Sequence, residues 1–229
     1  MDAVLVSYIE IAPEVRHFVF EVPELTEVRA EPGQFVSFRG EVDGRRVTRA
    51  YSLAGLPRGN RFELCLNRVR EGLFSPWLFA LEPGGRVEMQ GPLGYFTPRR
   101  PFRDAVLVAT GTGIAPFRAY LQAPDVVDSG AGITLLFGAR HEQGLLYRDE
   151  FERLAARNPR FRYLPTLTRP SPGWRGRTGR VQVHLDDALG GRGDLDVYIC
   201  GMKEMVDEVR AMLKQRGFDR KQIFAEKYD

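Results

Sequence analysis

The sequence has few of the residues that build metal sites or disulfides. Its 229 residues include two cysteines, Cys65 and Cys200, and three histidines, His17, His141 and His184. Two cysteines are too few for a disulfide framework, an iron–sulfur cluster or a four-cysteine zinc site. The histidines lie too far apart in the chain to indicate a histidine-rich metal site. Redox chemistry in this chain would therefore need an organic cofactor.

Long apolar runs and a leader segment are lacking as well. No stretch approaches the roughly 20 apolar residues that cross a bilayer. The first residues, Met1-Asp2-Ala3-Val4, show neither the basic nor the apolar region of a signal peptide. The protein is therefore expected in the cytoplasm. A hydrophobic fraction of 43% and a charged fraction of 28% are typical of folded globular domains, and they exclude a disordered chain, a collagen and a coiled coil.

The net charge of +3 and the isoelectric point near 9.0 describe a mildly basic protein. Such a balance is compatible with a nucleic acid, an acidic protein or a phosphorylated cofactor as partner. The sequence has no lysine-rich tail, recognition helix or nucleic-acid motif. We therefore predict no nucleic-acid partner.

Short apolar strands alternate with glycine and proline turns in the first part of the chain. In residues 61–67, Arg-Phe-Glu-Leu-Cys-Leu-Asn, bulky apolar residues alternate with others, as in a half-buried strand. Turns such as Glu31-Pro32-Gly33 separate the strands. Six strands of this kind predict a small antiparallel β-barrel, with one short helix at residues 75–80. The predicted strands are residues 4–11, 16–22, 34–38, 47–53, 61–69 and 86–90.

A second pattern begins near Thr97-Pro98-Arg99-Arg100-Pro101, a polar stretch that is typical of a domain boundary. Beyond it, continuous apolar runs alternate with helical patterns, which predicts an α/β domain with a parallel sheet. The predicted domains are residues 1–98 and 99–229. The predicted strands are residues 105–109, 133–137, 161–166 and 197–200, and the predicted helices are residues 116–121, 147–157 and 203–216. The last helix has a core face of Val206, Val209, Met212 and Leu213 at helical spacing.

A glycine turn opens the second domain. The apolar run ending at Ala109 continues as Thr110-Gly111-Thr112-Gly113-Ile114-Ala115-Pro116. Glycines let the backbone approach a ligand closely, and free amides at the start of a helix attract phosphate. Pro116 replaces the third glycine of the usual dinucleotide fingerprint and suits the first turn of a helix. The turn is therefore either a phosphate-binding turn of a different kind or an ordinary strand-to-helix turn.

Two segments of the first domain also contain side chains that could bind a cofactor. Arg49-Ala50-Tyr51-Ser52 ends a predicted strand, and Gly72-Leu73-Phe74-Ser75 follows twenty residues later. An arginine fork pairs with a pyrophosphate. A tyrosine offers a flat face to an aromatic ring, and a serine hydroxyl can bond to a ring edge. Each segment taken alone fits a structural role better than a binding role.

Together these segments resemble the ferredoxin–NADP⁺ reductase family. Five motifs occur in the family's order and span the chain from Arg49 to its end. They are Arg49-x-Tyr51-Ser52, Gly72-x-x-Ser75, Gly111-Thr112-Gly113-Ile114-Ala115-Pro116, Cys200-Gly201 and Glu226-Lys227-Tyr228. The segment at residues 72–81 looks most like bacterial ferredoxin or flavodoxin reductases, whereas Cys200-Gly201-Met202-Lys203 and the terminal Glu-x-Tyr also look like the plastidic branch.

The resemblance implies one bound FAD and a set of residues that would hold it. Arg49 would bind the pyrophosphate with help from Ser75, while Tyr51 and Tyr228 would cover opposite faces of the flavin ring. The implied catalytic residues are Ser52, Cys200, Glu226 and Tyr228. Further contacts to the cofactors are implied for Leu66, Gly72, Leu73, Gly201 and Met202. Asp229 leaves no terminal aromatic side chain to fold over the FAD adenine, so the resemblance leaves the FAD conformation open.

The second cofactor implied by the resemblance is NADP(H). Gly111, Thr112, Gly113 and Pro116 would carry its pyrophosphate. Arg140, Arg169 and Arg180 would hold the 2′-phosphate, since arginine accommodates this group where an acidic residue would accept a ribose hydroxyl. Glu142 is the acidic residue that could instead favour NADH.

Three functions remain open at this level. The resemblance favours an FAD-dependent oxidoreductase that exchanges electrons between NADP(H) and a ferredoxin or flavodoxin, by hydride transfer to flavin N5 followed by one-electron steps. Basic residues could then dock the acidic carrier; the candidates are Arg16, Arg45, Arg99, Arg100 and Arg103. The alternatives are an NADH-dependent reductase component of an oxygenase and a flavin-containing electron-transfer subunit without nicotinamide binding.

Overall fold

The chain divides into two compact units. A computed structural model describes residues 1–228. Asp229, on which the open question of the FAD conformation depends, lies outside the described residues. The barrel unit comprises Met1–Pro98 and Ala115–Ala123, and the sheet unit comprises Arg99–Ile114 and the chain from Pro124 onward. Residues 115–123, which the sequence assigns to the second domain, thus pack with the first. The single division after residue 98 stays a prediction.

Six antiparallel strands form the barrel unit, as predicted. They are β1 (Asp2–Ala12), β2 (Val15–Glu21), β3 (Phe35–Val42), β4 (Arg45–Ser52), β5 (Arg61–Asn67) and β6 (Arg86–Leu93). Their order across the sheet is β4-β3-β6-β1-β2-β5. An isolated bridge between Leu53 and Leu64 brings the end of β4 to β5, so the two edges of the sheet meet there. This barrel-like arrangement confirms the predicted fold of the first half.

Aromatic side chains fill the core of the barrel unit. On β2, Phe18 and Phe20 are fully buried because they lie two residues apart and face the same side of the strand. The ring of Phe20 contacts those of Phe38 and Phe62, with centroids 5.0 and 5.7 Å apart. Such aromatic pairs contribute about 0.5–1.5 kcal/mol each beyond the area that they bury. The period-two pattern in the sequence therefore sets which face of each strand is buried.

Two short helices complete the barrel unit. Helix α1 (Phe74–Phe79) lies close to the predicted helix at residues 75–80, and α2 (Ala115–Tyr120) follows the glycine turn. The hydroxyl of Tyr120 donates a 2.8 Å hydrogen bond to the carbonyl of Phe96, and Arg118 donates to Glu63 at 2.6 Å. These bonds hold α2 on the barrel, which explains why residues 115–123 pack with this unit.

Six parallel strands form the sheet unit. They are β7 (Ala105–Thr110), β8 (Ile133–Ala139), β9 (Phe161–Leu167), β10 (Arg177–Thr178), β11 (Asp196–Met202) and β12 (Ile223–Tyr228). Their order is β10-β9-β8-β7-β11-β12, and the remaining helices are α3 (Pro124–Val127), α4 (Arg148–Arg157), α5 (Leu185–Leu189) and α6 (Lys203–Gln215). The predicted parallel sheet is confirmed, whereas β10, β12, α3 and α5 are additions to the prediction.

Helix α6 packs on the sheet through the predicted core face. Val206, Val209 and Leu213 are fully buried, and Met212 is partly buried against the same cluster. In the described part of the chain, no helix is both long and apolar enough to cross a membrane. The described residues also hold no group of three or more histidine, cysteine, aspartate or glutamate side chains that could bind a metal ion.

A buried carboxylate stands at the start of β11. The side chain of Asp196 is 1% exposed, and its oxygens have no hydrogen-bond partner among residues 1–228. Arg99 Nη1 lies 3.5 Å from Asp196 Oδ1. Burial raises the pKa of Asp196, and the charges of Arg99 and Arg103 only partly oppose this shift. Folding therefore favours the protonated form of this group, so its ionised form lowers the stability of the fold.

Asp196→Asn should stabilise the protein at neutral pH. A raised pKa in the folded state means that the wild type loses stability as the pH rises through that pKa, whereas the asparagine variant does not. Arg99 keeps its hydrogen bond to the carbonyl of Lys221 and its stacking on Phe224. We expect a gain of about 1 kcal/mol at pH 7, which shrinks towards pH 4. Urea unfolding across this range measures it.

Asp2→Asn is the matched control, because Asp2 forms an exposed ion pair with Arg86 at 3.6 Å. It should change the free energy of unfolding by less than about 0.5 kcal/mol. A loss of stability for Asp196→Asn that grows with pH would contradict the interpretation.

Candidate functional site

The end of β4 presents an arginine and a tyrosine on one face of the barrel unit. Arg49 is exposed and donates to the carbonyl of Thr48 at 2.9 Å, and no carboxylate in the described residues forms an ion pair with it. The ring of Tyr51 packs against Phe38 and Phe74, with centroids 5.8 and 6.4 Å apart. Burial raises the pKa of Tyr51 to about 12 although the charge of Arg49 lowers it. The phenol is therefore neutral beside an available cation.

Ser52 and Ser75 lie in more enclosed positions. Ser52 is 6% exposed and pairs across the sheet with Phe35. The hydroxyl of Ser75 accepts a 2.9 Å hydrogen bond from the backbone amide of Val69, so this serine orders the loop before α1. Gly72 belongs to the same loop and donates its backbone amide to the carbonyl of Val69 at 2.9 Å. The predicted role of Ser75 at a pyrophosphate stays a prediction.

Two leucines predicted to contact the flavin differ in their surroundings. Leu66 is 3% exposed and belongs to the hydrophobic core of the barrel unit, so its side chain has a packing role, and its contact to a cofactor stays a prediction. Leu73 is 37% exposed directly before α1. The unpaired fork of Arg49 and the half-buried ring of Tyr51 fit the pyrophosphate and the flat ring of an FAD.

The glycine turn of the sheet unit fits closely against the end of β11. A Cβ atom on Gly113 would collide with the carbonyl of Cys200 and would lie 2.8 Å from the amide nitrogen of Gly201. Gly201 has φ +150°, and a Cβ there would strike the hydroxyl of Thr110. The backbones can therefore touch only because both positions are glycine.

The same turn contains two features of a ligand cradle. Gly111 has φ +56° with open space where a Cβ would stand, and a left-handed backbone of this kind favours glycine. The hydroxyl of Thr110 is buried without a hydrogen-bond partner in the described part of the chain. A buried polar atom of this kind usually has a partner. Thr110, Gly111 and Gly113 thus fit a polar ligand such as the pyrophosphate of a dinucleotide.

Strand β12 brings three predicted catalytic residues together. Cys200 pairs with Glu226 and Met202 pairs with Tyr228 in the parallel register of β11 and β12. Burial raises the pKa of Cys200 well above its ordinary value, and the charge of Glu226 raises it further, whereas a hydrogen bond with Tyr228 lowers it. Cys200 therefore remains a thiol at neutral pH. The sequence prediction placed no strand at residues 223–228; the apolar Ile223-Phe224-Ala225 before Glu226 was the available signal.

An open cleft of about 500 Å³ lies where β8 and β9 end. Its lining includes His141, Glu142, Arg169 and Ser171. The backbone amide of Arg169 donates to the carbonyl of Arg140 at 2.8 Å. The carboxylate of Glu142 accepts a hydrogen bond from the hydroxyl of Ser171. The cleft thus contains both the basic and the acidic residue that the sequence marks for nucleotide choice.

Three arginines follow three adjacent strands at this edge of the sheet. Arg140 follows β8, Arg169 follows β9 and Arg180 follows β10. Within residues 1–228 none of the three forms an ion pair, whereas the nearby Arg148 and Arg177 pair with Glu152 and Asp187. The edge therefore keeps three cations available for an anionic ligand.

Most of the arginines predicted to dock a carrier make contacts inside the protein. Arg16 donates to the carbonyl of Phe79, Arg99 pairs with Asp196, Arg100 pairs with Asp125 and Arg103 donates to the carbonyl of Asp194. Arg45 is exposed in the β3–β4 hairpin. Docking through the first four would compete with these contacts.

Comparison with known proteins connects both units to flavin reductases. Residues 2–97 match the model of an oxidoreductase FAD-binding domain, and residues 107–211 match that of an oxidoreductase NAD-binding domain. The chain is 40% identical to ferredoxin–NADP reductase B of Sorangium cellulosum (strain So ce56), over 100% of this chain and 97% of the relative.

Two further matches are longer proteins. The chain is 31% identical to the toluate 1,2-dioxygenase electron transfer component of Pseudomonas putida, over 89% of this chain and 60% of that protein. The crystal structure of the Amycolatopsis cytochrome P450 reductase GcoB superposes with a TM-score of 0.87 at 29% identity, and the match covers 99% of this chain and 69% of that one.

Gly113→Ala should disturb nucleotide binding more than flavin binding. The added methyl group would push against the backbone of Cys200, and overpacking of this kind costs about 1–3 kcal/mol. We expect this loss in urea unfolding and at least about tenfold weaker NADP⁺ binding in calorimetry, with FAD retained. Gly193→Ala is the control, because a Cβ at Gly193 meets nothing within 4 Å. Equal NADP⁺ affinity in both variants would contradict the assignment of the turn.

Proposed function

Since the chain belongs to the ferredoxin–NADP reductase family of FAD- and NAD(P)-binding oxidoreductases, we propose that it exchanges electrons between NADP(H) and an acidic one-electron carrier, a ferredoxin or a flavodoxin. The observation that carries the proposal is the register of β11 and β12, which aligns Cys200 with Glu226 beside the glycine turn. A neutral thiol and a carboxylate beside a dinucleotide cradle serve to place a nicotinamide ring.

FAD, when bound, supplies the redox chemistry, since it can take up two electrons with a hydride and release them singly. The barrel unit contributes the residues that would hold it. Arg49 would bind the pyrophosphate through its unpaired fork, and the neutral ring of Tyr51 would support the flavin face. Ser52 would supply a hydrogen bond at the ring edge, and Gly72, Leu73 and Ser75 would shape the loop beside it. These residues would bind and orient the flavin, and correct placement of the reacting groups is what hydride transfer mainly requires.

The glycine turn, Pro116 after it and strands β11 and β12 contribute the residues for the nucleotide side of the reaction. Gly111, Thr112, Gly113 and Pro116 would carry the pyrophosphate of NADP(H), with the buried hydroxyl of Thr110 close to the turn. Cys200, Gly201 and Met202 would border the nicotinamide. Glu226 would keep a carboxylate near it, and Tyr228 would occupy the nicotinamide position until the nucleotide enters. The contribution of these residues is therefore placement of the nucleotide.

Unpaired arginines support NADPH over NADH as the nucleotide. The 2′-phosphate carries two negative charges that a ribose hydroxyl lacks, and Arg140, Arg169 and Arg180 are three cations without ion pairs among residues 1–228. Glu142 could accept a ribose hydroxyl, but its carboxylate is already bonded to Ser171. Arg169 in the cleft, together with Arg140 and Arg180 at the same edge of the sheet, therefore supports the phosphorylated nucleotide.

A reductase component of an oxygenase is the second candidate. The similarity to a dioxygenase electron transfer component supports it. The chain spans 60% of that relative, and its two cysteines are too few for an iron–sulfur cluster of its own. An iron–sulfur cluster that accepts the electrons would then lie outside this chain, and NADH would be the expected donor.

Anaerobic stopped-flow mixing with NADPH and then NADH tests the proposed function. The oxidised flavin band should bleach at least about tenfold faster with NADPH at equal, subsaturating concentration, because the arginines add binding energy for its phosphate. Faster bleaching with NADH would favour the oxygenase-type reductase. A preparation that bleaches with neither nucleotide would favour an electron-transfer subunit, and one that takes up no FAD would refute the proposed function.

Arg169→Ala should separate the two nucleotides. Loss of one charge-assisted contact to phosphate removes about 1.5–3 kcal/mol of binding, so the KM for NADPH should rise about tenfold or more while the KM for NADH changes little. Arg157→Ala, in the last turn of α4, removes the same charge from an exposed position and serves as control. Equal effects of Arg169→Ala on both KM values would refute the phosphate assignment.

A further inference from the structure

Arg16 occupies an unusual position for a surface arginine. Its guanidinium carbon lies 4.1 Å from the ring centroid of Tyr8 and 4.8 Å from that of Phe79. Its Nη1 donates a 2.7 Å hydrogen bond to the carbonyl of Phe79. Its Nε is buried without a hydrogen-bond partner in the described part of the chain. The cation is thus held between two aromatic rings instead of facing a solvent-exposed carboxylate.

The carbonyl that Arg16 binds belongs to the last residue of α1. Carbonyls in the last turn of a helix lack partners within the helix, and a cation there also interacts favourably with the helix dipole. The ring of Phe79 packs edge-on against Phe18 of β2, with centroids 5.4 Å apart. Arg16 and Phe18 therefore hold the C-terminal end of α1 on β2.

The other end of α1 meets the proposed flavin site. Phe74 stacks near Tyr51 with an interplanar angle of 21°, and a Cβ on Gly40 would lie 2.9 Å from the ring of Phe74. Ser75, the next residue, orders the preceding loop through its bond to Val69. Because α1 is six residues long, a shift at its C-terminal end is transmitted to Phe74 and Ser75.

We infer that Arg16 is a positioning residue for the FAD site. It holds α1 against β2 and thereby sets the ring of Phe74, on which Tyr51 packs, and the loop that Ser75 orders. The inference rests on the FAD binding of the proposed function.

The rate at which the holoprotein releases FAD tests this role. We compare the wild type with Arg16→Met and Arg16→Lys after dilution, following the fluorescence of released flavin and the visible spectrum of the bound flavin. Arg16→Met should release FAD at least about tenfold faster. Arg16→Lys keeps a charge near the Phe79 carbonyl but loses the planar stacking, so its release rate should lie between the two.

Controls separate positioning from general stability. Arg29→Met removes a charge from the same unit, where Arg29 is exposed and pairs with Glu27, and it should release FAD at the wild-type rate. Unfolding followed by far-UV circular dichroism measures stability independently. If Arg16→Met lowers the unfolding temperature but keeps the wild-type release rate and flavin spectrum, Arg16 is a packing residue and the inference is wrong.

Tyr8→Leu keeps the experiment decisive if Arg16→Met does not fold. It removes one stacking face and leaves the hydrogen bond to Phe79, so FAD release should be faster than in the wild type. Unchanged release in both Tyr8→Leu and Arg16→Lys would overturn the inference while the wild type still holds FAD and bleaches with NADPH. A wild type that holds no FAD would instead overturn the proposed function.

Discussion

The contact between the glycine turn and the end of β11 is the constraint on which the sheet unit's chemistry depends. The backbone of Gly113 touches the carbonyl of Cys200, and Gly201 approaches the hydroxyl of Thr110. Neither position has room for a Cβ atom, so each glycine is required by a specific neighbour. The contact places Cys200 beside the turn, and the register of β12 then adds Glu226 and Tyr228. One close approach of two backbone segments thereby links the cradle for a dinucleotide to the polar groups that would border its nicotinamide.

The distribution of ion pairs separates structural arginines from those available to ligands. Arg177 pairs with Asp187, Arg192 pairs with Asp104, and Arg216 pairs with Asp186. Four other arginines form no ion pair within residues 1–228 and stand at two of the three positions proposed for phosphate groups: Arg49 for the FAD pyrophosphate, and Arg140, Arg169 and Arg180 for the 2′-phosphate. Cations that keep their charge free of internal carboxylates bind an anion without first breaking an ion pair. Net charge alone, +3 for the chain, carries none of this information.

Sequence patterns predicted the strands whose apolar residues alternate or form a continuous run. They missed the strands that form only by pairing with a neighbouring strand. The alternation in β5 and the continuous apolar runs of β7 and β8 were sufficient to predict these strands. Strand β10 has two residues, which is too short to be recognised alone. Strand β12 offers a short apolar run, Ile223-Phe224-Ala225, but the charged Glu226 and Lys227 interrupt it. Helix α2 was predicted correctly, but its packing on the barrel unit depends on Arg118 and Tyr120 finding partners far away in the sequence. The motif residues were found by resemblance, whereas the contacts of Arg16 and the bond between Glu142 and Ser171 required three-dimensional structure.

Burial raises the pKa of two side chains placed near the proposed reaction, Tyr51 and Cys200. Desolvation raises the pKa of Tyr51 to about 12 and that of Cys200 well above its ordinary value. A phenolate against a flavin face, or a thiolate beside a nicotinamide, would place a further negative charge next to a ring that gains or loses electrons. The arginines proposed to meet phosphate are exposed, and they keep their charge throughout the proposed reaction. In the proposed function, exposed cations would thus bind the phosphate groups, whereas Tyr51 and Cys200, both desolvated and uncharged, would lie beside the rings.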